Sequence, residues 1–250
     1  MSGHNKWSTI KRKKGALDAK RSKMFSRIIK EMMVAVKESG PDPDANPRLR
    51  VAINNAKGVN MPKENIQRAI NKADQDKNSL QEMTFEGYGP GGVAIFVEAL
   101  TDNSNRTVST IRSIYTKKGG SMGTNGSLSF LFDRKGVFTI PVANVKSMEE
   151  FELEVIDGGA EDIDVNEETI EVITAMEDFG RMQKKLEELG VEVENAELRR
   201  IPNDLKTVDV STGLKLLRLV DDFEENDDVQ YVFHNLELTE ELMAAMEAAE

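Results

Sequence analysis

The apolar residues of this chain change their spacing near residue 80, from a helical period to an alternating one. Periods of 3.6 and 2 bury one face in different kinds of element, so the switch demands an all-α segment followed by a mixed one. Before it, Leu17, Phe25, Ile28, Ile29, Met32, Met33 and Val36 fall mainly on one stripe. Gly40-Pro41-Asp42-Pro43 then stops that helix. A second helix fits Pro47 to Lys57, with Leu49, Ile53 and Ala56 inward. Asn60 is expected to cap a third, with Pro62 in its first turn and Glu64 near its positive end. Ile66, Ala69, Ile70 and Ala73 form its inner face.

After the switch, strands are expected at Thr84–Tyr88 and Val93–Ala99. Thr101-Asp102-Asn103 caps a helix running through Tyr115, and Gly119-Gly120 ends it. Ser127–Phe132 reads as a strand, and Gly136–Ile140 begins another. Residues 135–200 read as a complete β-α-β-β-α-β unit of ferredoxin-like order. Its helices are expected to start at capping boxes, Ser147 with Glu150 and Thr174 with Glu177. Its middle hairpin, 161–165 with 169–173, turns at Asn166-Glu167-Glu168, and its last strand is Val191–Leu198. Lys206–Val210, Thr212–Phe223 and Val229–Leu236 give strand, helix, strand. That half-unit closes a core only by joining strand 93–99, helix 103–117 and strand 127–132. The expected fold class is α+β in three domains. They are a basic arm and all-α helical domain (1–80), a discontinuous ferredoxin-like domain (81–133 plus 204–250), and a second ferredoxin-like domain (134–203) inserted in it.

Charge separates along the same line. The formal net charge of −11 hides +10 on residues 1–80 and −21 on residues 81–250. Residues 1–37 alone carry 11 Lys and Arg against Asp18 and Glu31. Such asymmetry marks a polyanion-binding end, with an acidic remainder that repels the polyanion and orients its approach. Residues 1–16, with Lys11-Arg12-Lys13-Lys14 and little apolar content, read as an arm that orders on its partner. The binding candidates are Lys6, Trp7, Lys11, Arg12, Lys13, Lys14, Lys20, Arg21, Lys23 and Arg27. Each phosphate they neutralise releases counterions. Trp7, the only tryptophan, either stacks on an unpaired base or staples the arm to the helical unit.

Enzyme chemistry finds no footing. Cysteine is absent, so thiol catalysis and thiolate metal sites are excluded. His4 and His234 stand alone, with no metal-ligand spacing around them. Gly119-Gly120-Ser121-Met122-Gly123-Thr124-Asn125-Gly126 lacks the Gly-Lys-Ser/Thr that opens a helix in a phosphate loop. It reads first as a capped loop between helix and strand. Gly119, Gly120, Met122, Gly123 and Gly126 could also let backbone approach a partner closely. Glu86 to Gly92 reads as a hairpin turn. The carboxylates Glu149, Glu150, Glu152 and Glu154, and Asp221, Asp222, Glu224 and Glu225, read as solvated faces. No run of eighteen apolar residues is present, so no membrane span is expected. Lys30 and Glu31 interrupt the apolar run that a signal peptide would need.

Seven segments together resemble the YebC family. They are Met1-Ser2-Gly3-His4-Asn5-Lys6-Trp7-Ser8, Lys20-Arg21-Ser22-Lys23-Met24-Phe25-Ser26, Asn46-Pro47-Arg48-Leu49-Arg50 and Asn60-Met61-Pro62-Lys63-Glu64-Asn65-Ile66 in the first third. Glu86-Gly87-Tyr88-Gly89-Pro90-Gly91-Gly92, Thr101-Asp102-Asn103-Ser104-Asn105-Arg106-Thr107 and Gly119-Gly120-Ser121-Met122-Gly123 follow. The resemblance implies a helical N-terminal domain, two α+β domains, a cytoplasmic protein and no cofactor. It also implies a nucleic-acid partner, ribosomal RNA or DNA, and no small-molecule substrate. Members are called probable transcriptional regulators, and mitochondrial relatives are translational activators. The readings left open are a ribosome-associated factor relieving stalls at proline-rich sequences and a DNA-binding regulator. An adaptor acting through the acidic domains is the third.

Overall fold

The computed structural model describes residues 17–75 and 80–248. They divide into two compact units. One joins the helical segment to residues 134–200; the other is formed by residues 80–133 with 201 onward.

The helical segment is α1 (Leu17–Ser39), α2 (Pro47–Gly58) and α3 (Lys63–Gln75). Met32, Ala35, Leu49, Ala56, Ile66 and Ile70 close its core, with Phe25, Ile28 and Ile29 packed against it. Asn46 joins two of the helices. Its Oδ1 accepts the Leu49 N–H (3.0 Å), and its amide donates to the carbonyls of Ala35 (2.7 Å) and Gly40 (2.8 Å). It is 1% exposed, so all three groups lose solvent. Asn46→Ala should therefore lower unfolding free energy by about 2–3 kcal/mol, the cap plus two orphaned carbonyls. Asn46→Asp keeps the cap but sets a buried carboxylate oxygen against those two carbonyls, so it should be at least as destabilising. Denaturant midpoints measure both, and an unmoved midpoint for the alanine variant would refute the clamp.

Asn60 does not cap α3. It takes the left-handed conformation (φ 56°) just beyond α2. Its N–H donates to Lys57 O (2.9 Å) and that of Met61 to Ala56 O (2.8 Å). This paired return seals a helix C-terminus, and asparagine tolerates the positive φ. The residue belongs to the end of one helix and not to the start of the next.

The chain continues through β1 (Gln81–Tyr88), β2 (Ala94–Thr101), α4 (Ser104–Lys117) and β3 (Ser121–Met122). It then runs through β4 (Phe132–Pro141), α5 (Met148–Asp157), β5 (Ala160–Val165), β6 (Thr169–Ala175), α6 (Phe179–Glu188) and β7 (Asn195–Pro202). The strands of this second group lie in the order β5-β6-β4-β7, the ferredoxin-like arrangement, with β6 antiparallel to both β4 and β5. Phe138, Ile140, Phe151, Val155, Ile170, Val172, Met182 and Leu186 fill its core. The Asn55 amide reads the backbone of β7, donating to Ala196 O and accepting its N–H, both at 2.8 Å. A Cβ on Gly58 would lie 2.0 Å from Glu194 O, so α2 can approach this closely only with glycine there.

Two boundaries in this group differ from expectation. Thr174 is not a helix cap. It is buried at the end of β6 and donates to Ala175 O (2.9 Å), while α6 starts after the turn Met176–Asp178. Val191 does not begin β7. Its N–H returns to Leu186 O (3.1 Å) beyond Gly190 at φ 66°, which makes it the exit of α6.

The chain ends with α7 (Val210–Glu225), β8 (Val229–His234) and α8 (Glu240–Ala248). The first sheet has the order β3-β1-β2-β8. Its helix-covered face buries Phe85, Ile95, Val97, Ile111, Tyr115, Leu216 and Phe223. The α+β architecture is as expected, but two of its strands are not. Lys206–Val210 makes only an isolated bridge to Leu236, because β1 already occupies the place beside β2. Asp209 in that segment instead caps α7, accepting the Thr212 N–H (3.0 Å). Ser127–Leu131 is a turn, and the strand begins at Phe132. The physical reason is a carboxylate on β1, described next.

Candidate nucleic-acid interface

Lys6, Trp7, Lys11, Arg12, Lys13 and Lys14 lie outside the described residues. Lys20 lies on the first turn of α1, whose side chains are likewise outside them. Arg21 is exposed; it donates to Asn60 O (3.3 Å) and its guanidinium sits 5.4 Å from the centre of the Phe25 ring. It is held to the α2–α3 turn with donors to spare. Lys23 and Arg27 are half-buried, and Arg27 Nε is buried with no hydrogen-bond partner among the described residues.

Sequence reasoning missed the outer face of α3. Gln67, Arg68, Asn71, Lys72 and Gln75 are exposed and, with Glu64, line one shallow depression. Gln67 donates to Asn71 Oδ1 (2.9 Å) one turn on. These positions are the complement of the buried stripe Ile66, Ala69, Ile70 and Ala73. The same helical period that gives the core gives this face. Its side-chain types contact base edges and phosphates alike.

The glycine loop is built from inside. Gly119 (φ 78°) ends α4, its N–H returning to Thr116 O (3.3 Å) and that of Gly120 to Tyr115 O (2.9 Å). A Cβ on Gly120 would sit 2.6 Å from Tyr88 O. Met122 packs against the core. Glu86, 4% exposed, holds the rest. Its carboxylate accepts the N–H groups of Gly126 (2.7 Å) and Leu128 (2.5 Å), and its carbonyl accepts that of Gly123 (2.7 Å). These contacts fold Ser127–Leu131 back, with Leu128 buried against Ala94, Phe96, Phe132 and Phe233. Two N–H groups that could have met a partner, those of Gly123 and Gly126, are thus already occupied. The Tyr115 hydroxyl donates to Ile95 O (3.1 Å); burial, then the Glu86 charge, raises its pKa well above the ordinary phenol value.

The segment Thr101 to Thr107 is a joint. Asp228, 8% exposed, accepts from the hydroxyls of Thr107 (2.8 Å) and Thr101 (3.2 Å) and from Arg106 (3.0 Å). Asn103 caps α4 by accepting the Arg106 N–H (3.1 Å). Hydrogen bonds to Asp228 and then Asp102 raise the Arg106 pKa further, so its charge is committed to structure. Among the described residues no group of three His, Asp or Glu could hold a metal ion, and no helix is long and apolar enough to cross a membrane.

The model of the TACO1/YebC N-terminal domain matches residues 5–76, and that of the TACO1/YebC second and third domain matches residues 80–236. The chain belongs to the TACO1/YebC family. It is 50% identical to a probable transcriptional regulatory protein of Geotalea uraniireducens (strain Rf4), over 98% of this chain and all of that one. It is 47% identical to one of Rubrobacter xylanophilus, over 98% of each. The crystal structure of a conserved hypothetical protein from Aquifex aeolicus matches with a TM-score of 0.82 at 43% identity, covering 91% of this chain and 95% of that one. These family names describe a regulator of gene expression and not an enzyme class.

Proposed function

We propose that this protein regulates gene expression in translation, gripping folded ribosomal RNA through its basic arm and helical segment. The observation that carries the reading is the separation of charge, +10 on residues 1–80 against −21 beyond. α1 supports it by turning its apolar stripe inward and leaving Arg21 exposed beside the turn that leads to α3. Folded RNA suits a cationic segment carrying one aromatic residue, since it offers phosphates and unpaired bases together. Arg and Lys on one segment also orient approach, because the acidic remainder repels the same polyanion.

A second reading, transcriptional regulation on DNA, draws on two observations. One is the α3 face of Gln67, Arg68, Asn71, Lys72 and Gln75, side chains that can read base edges. The other is the name carried by the curated relatives, probable transcriptional regulatory protein. Crosslinking in cells followed by sequencing of the bound nucleic acid decides between them. Reads concentrated in ribosomal RNA, with co-sedimentation on ribosomes at moderate salt, are expected. Reads concentrated at promoters would overturn the translation reading in favour of the second.

A further inference from the structure

Residues 103–132 contain no Asp or Glu, and they contain Arg106, Arg112, Lys117 and Lys118. With 44 acidic residues in 250, a stretch of thirty would ordinarily carry about five. The gap lies inside the acidic part of the chain. In the fold its exposed residues begin along one side of α4. Asn105, Ser109, Arg112, Thr116 and Lys117 recur at helical spacing along the exposed side of α4, and the last four border a shallow depression with Ser113. The surface then passes into the glycine loop and around β3, the edge strand of its sheet. Arg106 and Lys118 are tied to Asp228 and Asp222, but Arg112 and Lys117 have no carboxylate partner among the described residues.

We infer that this side of α4, with the glycine loop at its end, is a second RNA-contact surface, formed by residues other than those of the arm and the helical segment. The inference rests on the RNA reading above. The face offers hydroxyl, amide and cationic donors and carries no acidic residue of its own to repel phosphate. Those are groups that follow a ribose-phosphate backbone and its 2′-hydroxyls without reading sequence. A protein partner fits the helix poorly, because none of the large apolar side chains exposed on the described residues lies on α4; the exposed Phe130 lies beyond the glycine loop. Duplex DNA would be better served by the Asn and Gln of α3, since only Asn105 on this face has a base-reading amide.

The test uses the full chain, isolated ribosomal RNA as probe, and the variant R112Q/K117Q. Both residues are exposed and unpaired, and a thermal melt will show the fold intact. Loss of two phosphate contacts should weaken binding roughly twentyfold near physiological salt and reduce the slope of log K against log salt by about 1.5. R112E/K117E should weaken it further. K146Q/K184Q, which removes two exposed lysines from the inserted segment, should leave affinity and slope unchanged. If wild type binds and R112Q/K117Q matches it in both, the surface is not an RNA contact and the arm reading stands alone. If wild type itself does not bind RNA, the translation reading fails and this inference with it.

Discussion

Changing Lys11, Arg12, Lys13 and Lys14 together to alanine is expected to weaken nucleic-acid binding by two to three orders of magnitude near physiological salt. Each lost phosphate contact lowers the salt slope by about 0.7 to 0.9, so four lower it by about three. Extrapolated from 1 M salt to about 0.15 M, a slope change of three becomes roughly 300-fold in affinity. The loss should be the same for unrelated sequences, because phosphates carry no sequence information. Binding isotherms at several salt concentrations measure both quantities. An unchanged slope would remove the tetrad from the interface. By contrast, Arg68→Ala and Asn71→Ala on α3 should change preference among sequences if that face reads bases, and only affinity if it does not.

The second large effect is on the fold. Glu86→Ala removes the acceptor of the Gly126 and Leu128 N–H groups, with Leu128 N–H fully buried. A charged acceptor contributes about 1.5–3 kcal/mol per bond, and shared removal should cost about 3 kcal/mol locally. Hydrogen exchange at those two amides should accelerate about a hundredfold, while amides of the inserted sheet keep their protection. Glu86→Gln, which keeps the shape but presents a donor on one side, should be intermediate. Equal exchange in wild type and the alanine variant would mean the loop is held by Leu128 packing alone. Since Glu86 is far in sequence from the residues it organises, a change here should also alter any contact made by the glycine loop.

Much of the architecture was legible in one dimension. Ile66, Ala69, Ile70 and Ala73 are all buried, as their period required. The inserted β-α-β-β-α-β group has the expected strand order, because alternation and two helical stripes leave few ways to cover one sheet. The errors share a cause. Asn60, Thr174 and Val191 are residue types that suit either of two neighbouring elements, and hydrogen bonds one to five residues away decide which one claims them. Ser127–Leu131 alternates like a strand, yet Glu86, some forty residues off, takes the Leu128 N–H and that of Gly126 just before the segment. Lys206–Val210 also alternates, yet β1 has taken its place in the sheet.

By itself, then, the sequence determined the elements that local period dictates, the sign of charge at each end, and the absence of thiol chemistry. Those depend on composition and spacing, which need no partner in space. Only the tertiary structure decided which strand lies beside β2 and what the loop glycines are for. It alone also showed that Arg112 and Lys117 have no carboxylate partner among the described residues. Each of those turns on groups distant in sequence competing for one backbone position or one charge, and the competition is settled only when the chain has folded.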